Sequence, residues 1–248
     1  MSIHFWNKKY TETLAQTLIR FRTETNIQVG EKITYAGRLD PMAEGLLVLL
    51  TGDDVHKKDS YMGLDKVYEI DFMLGPRTDT YDILGLVSLD SQIFSVLDDK
   101  KLAIFIKESL GSFEQPYPPY SSKPVEGKPL FMWARENRLS EIVIPTKKVS
   151  IYSIEYKGKK IVSLEDFKNE IITNMRLVEG DFRQDEITDS WKKYLEKQVT
   201  KEIEIYTISV SASSGTYMRS LVEALGASLV TGACTLKIKR VSIGDYKL

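Results

Sequence analysis

The pattern of this sequence predicts an α+β fold, a mixed and largely antiparallel sheet flanked by helices. Two observations carry that class. Segments that alternate apolar and polar residues sit among segments of helical period, and the two kinds interleave without the regular strand-helix-strand rhythm of a parallel protein. The chain has 248 residues, 42% of them apolar and 28% charged, enough to bury a substantial core within one domain.

In chain order, Leu14, Leu18 and Phe21 fall at helical spacing within residues 11–25, with Thr11 as the candidate cap. After Gly30, residues 32–50 run from a polar loop into a continuous apolar stretch, the mark of a buried strand. Residues 66–74 alternate, placing Tyr68, Ile70, Phe72 and Leu74 on one face and Glu69 and Asp71 on the other. A polar turn at 78–80 leads to an expected strand near 83–89, and residues 98–110 form a helix stopped by Gly111. Pro116, Pro118 and Pro119 remove amide donors and fix φ, so residues 115–123 are read as a loop. A strand over 147–156 precedes a helical section, in which Ser163 and Asp166 form a capping pair and 187–199 is helix-compatible. Residues 203–210 are strand-like. The helix after Gly215 gathers Met218, Leu221, Val222 and Leu225 on one face and ends at Gly226, and 236–243 is the last strand.

No run approaches the roughly 20 apolar residues that span a bilayer, and the first ten residues lack a signal-type apolar core, so a cytoplasmic protein without membrane association is expected. A lone cysteine, Cys234, excludes an intrachain disulfide and lies in an apolar stretch that reads as a buried thiol. His4 and His56 have no partners at ligand spacing, so no metal site is expected. The net charge of −1 argues mildly against nucleic acid. Yet residues 164–202 hold ten acids against seven bases, which leaves the remainder slightly positive and permits an RNA-facing surface.

Asp40 is the sharpest candidate for chemistry. Pro41 biases it away from helical dihedrals, and Leu39 and Leu46 set it at a packed corner, where a carboxylate needs a cation or donors. On local grounds alone the Asp-Pro pair is a turn former, Tyr68 a sheet-face aromatic and Arg219 a solvated charge.

The run Gly37-Arg-Leu-Asp-Pro-Met-Ala-Glu-Gly-Leu-Leu47 resembles the catalytic signature of TruB-type tRNA pseudouridine synthases, which modify uridine 55 in the T loop. Four further segments agree in order: Lys66-Val-Tyr68, Gly75 through Thr78-Asp-Thr80 to Asp82 and Gly85, the 115–123 loop, and Gly215-Thr-Tyr-Met-Arg219. The resemblance implies a pseudouridine synthase catalytic domain, expected as a single domain over 1–248; against the family pattern, residues at about 158–201 are expected to form a helical insert, and the chain ending soon after Tyr246 is expected to carry no C-terminal PUA domain. It implies the T stem-loop of tRNA as partner and no cofactor; a monomer is expected.

Carried over by resemblance, Asp40 matches the essential aspartate, Tyr68 the tyrosine stacking on the target base, and Tyr217 and Arg219 the C-terminal active-site pair. Asp40 would act either as nucleophile at C1′ or as base at C2′, with Arg219 as its opposite charge. Tyr68 would stack on the flipped base near C5. Tyr217 and Arg219 can serve one pocket only if Tyr217 lies in the turn before the helix. Tyr35, Arg38, Lys66 and Lys123 complete the expected substrate contacts, with Lys32, Lys66 and Lys123 as phosphate contacts where a lysine is otherwise simply solvated. The proline-rich loop either lines the RNA cleft or is a rigid connection.

The chain departs from the family pattern in two further places. Tyr35 and Thr34 stand where histidine and glycine are usual, and the N-terminal Lys-Pro-x-Gly-x-Thr-Ser element is reduced to Asn7-Lys-Lys-Tyr-Thr11. Arg176, Arg183, Lys192 and Lys193 are the insert's candidate RNA contacts. Competing functions are a synthase for another RNA and a non-catalytic tRNA-binding or folding factor on the same scaffold.

Overall fold

A computed structural model describes residues 2–28 and 30–248. Its elements begin with β1 (Ser2–Lys8), α1 (Leu14–Thr25), β2 (Ile33–Ala36), β3 (Ala43–Thr51), α2 (Lys58–Met62) and β4 (Lys66–Leu74). Next come α3 (Asp99–Ser109), β5 (Gly111–Pro116), the ribbon of β6 (Pro124–Val125) and β7 (Lys128–Pro129), α4 (Leu130–Arg135) and β8 (Thr146–Ser163). Then follow α5 (Leu164–Leu177), α6 (Gln184–Glu196), β9 (Glu202–Ala212), α7 (Met218–Ser228), β10 (Ala233–Ile243) and β11 (Tyr246–Lys247).

Among the described residues nine strands form one sheet in the order β1-β3-β10-β4-β9-β8-β5, with β2 added to β3 and β11 to β10. Every pairing is antiparallel except β3 with β10, so the sheet is mixed and largely antiparallel as expected. The alternation in β4 works as read. Tyr68, Ile70 and Phe72 join the core under α7 and α3, whose Leu221, Val222, Leu225, Leu102 and Phe105 cover that face. A second core fills the other side of the sheet, where α5 and α6 bring Phe167, Ile171, Met175 and the fully buried Trp191 against Met73, Cys234 and Leu236. Burial of these apolar faces, each large side chain contributing roughly 1.5–3 kcal/mol, holds both helical layers on the sheet.

Several elements differ from expectation. Thr11 does not cap α1; it sits at φ +68, and Thr13 forms the capping box with Gln16 instead. Residues 83–89 make no strand. They form a loop held by two isolated bridges, Thr78 to Val87 and Asp82 to Thr235, and by the Asp79 carboxylate, which accepts from the Leu86 amide at 2.8 Å. Gly226 does not end α7; a Cβ there would run into Ala233 at the start of β10, so the glycine serves close packing while the helix continues to Ser228. Gln115 and Pro116 belong to β5, where proline is tolerated as the last residue of an outermost strand. Residues 158–163 extend β8 rather than opening a helical segment, and α5 starts at the Ser163 cap.

Candidate active site

Residues 37–42 join β2 to β3 and carry Asp40. Buried cations hold this loop from beneath. The Lys8 amine donates to the carbonyl of Ala43 at 2.6 Å and to that of Pro41 at 3.3 Å, and the Arg240 guanidinium donates to Leu46 (2.6 Å), Arg38 (3.4 Å) and Gly37 (3.3 Å). Gly45, at φ +104, allows the junction: any Cβ would fall inside contact distance of the Arg240 backbone, so the last pair of the parallel β3–β10 register needs a glycine. With the loop's carbonyls satisfied from below, the Asp40 side chain is left facing outward, 44% exposed.

Arg219 meets it there. Tyr217 is the cap of α7, with φ −92 and ψ 108, and Arg219 is the second helical residue, so the two address one cleft from a turn and a helix. Arg219 is buried, and donates to the carbonyls of Thr80 and, at 3.3 Å, Tyr120. Its Nε lies 2.9 Å from Asp40 Oδ2 and 3.6 Å from Asp82 Oδ2. The N–H is aligned on neither oxygen, so the contacts are ion pairs rather than hydrogen bonds. Burial opposes the charge of Arg219, but Asp40 and Asp82 more than offset it and hold the guanidinium above its ordinary range. Burial pushes the Asp82 carboxyl up to about 6; Arg219 counters that push and Asp40 adds to it. The Thr80 hydroxyl (2.7 Å) and the Leu84 amide (3.0 Å) fix its other oxygen.

The cleft has two lobes that share Asp40 and Arg219. One, of about 370 Å³, is walled by Tyr68, Tyr117 and Tyr217. The other, of about 330 Å³, is bounded by Leu14, Asp82, Phe131, Phe182 and Arg183. Both fall in the size range of small-ligand sites. The proline-rich loop is a cleft wall and not merely a connection: Gln115 clamps the backbone of Tyr217 with bonds of 2.7 and 3.1 Å, and Tyr117 meets Tyr217 edge-on at 5.5 Å. Burial pushes the Tyr217 hydroxyl up to about 12.

Asp40, Tyr68, Arg219, Tyr217, Arg38 and Lys123 thus come together on the first lobe, with Tyr68 only 8% exposed at its floor and the Lys123 amine 5.2 Å over the Tyr117 ring. Tyr35 lines neither lobe. It stands on β2 at the rim, its hydroxyl accepting from Arg38 at 3.5 Å and its ring 5.9 Å from the Lys58 amine. Lys66 requires correction as a phosphate contact. It is 4% exposed, and its amine donates to the carbonyls of Met62 (2.7 Å) and Leu64 and to Ser214 Oγ (3.3 Å), which leaves nothing to reach outward. Burial, with Arg240 adding to it, pushes this amine down to about 8.

Sequence reasoning missed Lys8 and Arg240 and gave Asp82 no role beyond its motif. For Arg240 a signal existed, because the period-2 pattern of β10 turns it inward with Ile238 and Ser242, all three buried. Of the four basic residues considered on the helical section, Arg183 alone borders the cleft, 2.8 Å from Asp79 and 4.6 Å over the Tyr120 ring. Lys193 edges a separate groove beside Val87, and Arg176 and Lys192 line none of the three cavities. Among the described residues no three His, Cys, Asp or Glu side chains gather as they would around a metal ion, and no helix is long and apolar enough to cross a membrane.

A mixed sheet with a carboxylate-guanidinium centre at its mouth and a tyrosine-walled lobe beside it defines a class, the pseudouridine synthase catalytic fold. A chain of a Cbf5-Nop10-Gar1 complex shares this fold, with a TM-score of 0.59 at 16% identity over 99% of this chain and 49% of its own. Within that class, residues 22–175 match the N-terminal domain of the TruB family of pseudouridylate synthases, and the chain belongs to that family. The tRNA pseudouridine synthase B of Caldicellulosiruptor saccharolyticus is 30% identical over 88% of this chain and 60% of its own length. The tRNA pseudouridine synthase 4 of Saccharomyces cerevisiae is 27% identical over 88% of this chain and 62% of its own. The chain therefore spans about three fifths of these relatives.

Proposed function

We propose that this chain isomerises uridine 55 in the T loop of tRNA to pseudouridine, with the target base flipped into the first lobe. The observation that carries the reading is the meeting of Asp40 and Arg219, remote in sequence, at 2.9 Å in a tyrosine-walled cleft of a TruB-family chain. The reaction breaks the N1 bond to the ribose, turns the uracil and rejoins it through C5. Asp40 supplies the carboxylate, as nucleophile at C1′ or base at C2′, while Arg219 orients it and Asp82 holds the far side of the guanidinium. Tyr68 stacks on the base, and Arg38 and Lys123 at the rim contact phosphates. The partner is tRNA, the chemistry uses no cofactor, and the catalytic domain runs over 1–248 with α5 and α6 as its insert.

The test is incubation with unmodified tRNA and mapping of pseudouridine at single-nucleotide resolution, with Asp40→Asn as control. Product in the T loop is expected from the native protein and none from the variant. Binding without product would make the chain a tRNA-binding factor, and product elsewhere would overturn the uridine 55 assignment.

A further inference from the structure

Three cations lie buried near the cleft: Lys8 at 0% exposure and Arg240 at 1% beneath the Asp40 loop, and Lys66 at 4% where β4 begins beside the first lobe. All three donate to neutral acceptors, chiefly backbone carbonyls. Among the described residues none has a carboxylate oxygen within 4.0 Å, whereas Arg219 beside them has two. Carbonyls satisfy a cation's donors without cancelling its charge, and a buried charge left uncompensated is costly. Burial pushes the amines of Lys8 and Lys66 each down to about 8; at Lys66 Arg240 is the next cause and adds to the push, whereas at Lys8 the charges of Asp40, Glu12 and Glu44 oppose it, so Arg240 and Lys66 are the pair left least compensated. A fold that tolerates such a cluster beside a cleft is poised for negative charge arriving in that cleft. The first lobe, which Lys66 and Arg240 line, holds six basic side chains and a single carboxylate, Asp40.

The proposed reaction, on which this inference rests, supplies that charge. The C1′–N1 bond breaks with its electron pair remaining on the uracil. If Asp40 attacks C1′, an ester bond forms and the carboxylate loses its charge. If Asp40 takes the C2′ proton, the C2′–H pair becomes the C1′=C2′ double bond and the carboxyl is again neutral. By either route one negative charge moves from Asp40 to the base. It returns when C5 bonds to C1′, either displacing the carboxylate or drawing the proton back to C2′. Loss of the C5 proton and gain of one at N1 then leave no net change.

We propose that Arg240 and Lys66 form a preorganised positive floor that stabilises the detached, anionic base, which stands in for the carboxylate these cations lack. Charges fixed before the reaction begins need not reorganise when the anion appears, which is the most effective form of electrostatic stabilisation. Arg240 is the central member because it borders the lobe, lies opposite Tyr68 in the β4–β10 register and keeps its charge at any working pH.

The experiment compares the native protein with Arg240→Gln, which retains amide donors for the loop carbonyls but no charge, and Arg240→Lys, which retains the charge. Each is assayed in single turnover at saturating T-stem-loop RNA carrying either uridine or 5-fluorouridine at the target, the latter leaving as a more stable anion. Arg240→Gln is expected to slow consumption of uridine about 100-fold with Kd within threefold, Arg240→Lys about tenfold or less, and the glutamine variant's loss is expected to shrink at least tenfold on 5-fluorouridine. Lys66→Gln provides a second variant with the same expected pattern should Arg240→Gln fail to fold. Equal losses on the two bases would reduce the floor to a loop scaffold, and a loss confined to Kd would assign it to phosphate binding; either overturns the proposal. A native protein that binds the RNA but consumes neither base would overturn the underlying activity, and the floor's role with it.

Discussion

Asp82 gives the site a pH signature that can be read in stability. Asp82→Asn keeps an oxygen for the Thr80 hydroxyl and the Leu84 amide while removing the buried charge. The carboxyl titrates near 3.8 when exposed in the unfolded chain and at about 6 in the fold. Between those values the folded state binds more protons, so this group makes stability fall as pH rises from about 4 to about 6, and contributes no slope outside that window. The separation corresponds to roughly 3 kcal/mol in full, of which roughly 2 to 3 kcal/mol develops between pH 4 and pH 7. Urea unfolding of both proteins at pH 4, 5, 6 and 7 isolates it, because other titrating groups cancel in the difference. The variant should gain on the native protein by that amount across the series. A difference that stays constant with pH, or moves the other way, refutes the description of Asp82 as a desolvated carboxylate held by Arg219.

Three further outcomes follow from single positions. Thr11→Gly should raise stability by about 0.5–1 kcal/mol, since a left-handed backbone costs a β-branched residue roughly 1–2 kcal/mol and the added chain entropy of glycine returns part of it; a lowered Tm would count against the strain at φ +68. Gly45→Ala should cost roughly 3 kcal/mol or more, because its Cβ collides with the Arg240 backbone; a native denaturation midpoint would contradict the parallel junction of β3 and β10. Trp191→Phe should cost about 1–3 kcal/mol by leaving the Ile83 carbonyl without the indole donor now 3.1 Å away; a neutral change would show that α6 does not brace the loop bearing Asp82.

The elements read correctly from the sequence were those with a long, clean period. β4, α3, α7 and the apolar run of β3 each bury one face or both, and burial writes itself into residue spacing. β1 was illegible because its residues are mostly half-buried and its order comes from β3, along which it pairs from Ser2 to Lys8. Residues 83–89 have strand composition, but Asp79 and the bridges to Val87 and Thr235 draw their backbone bonds into a loop. At the site, Asp40, Tyr68, Tyr217 and Arg219 were reachable through motif resemblance, and their convergence on one cleft needed the fold. Lys66 misled because a lysine at a strand start usually faces water, whereas here it ties the end of α2 to the sheet. Lys8 escaped notice because no local pattern marks a cation whose partners are carbonyls brought from elsewhere in the chain, whereas Arg240 was marked by the inward period of β10 and only its partners needed the fold.

The position of β10 between β3 and β4 has a bearing on biogenesis. The segments carrying Asp40 and Tyr68 leave the ribosome early and one after the other, but the strand that must enter between them is made late. At roughly 5–20 residues per second, some ten to thirty seconds of translation separate the two events. Throughout that interval the facing edges of both strands stand open and no competent pocket exists. A nascent polypeptide thus lacks the assembled cleft until the late strand slots home, and a stall in translation just before it would leave a sheet whose open edges invite aggregation.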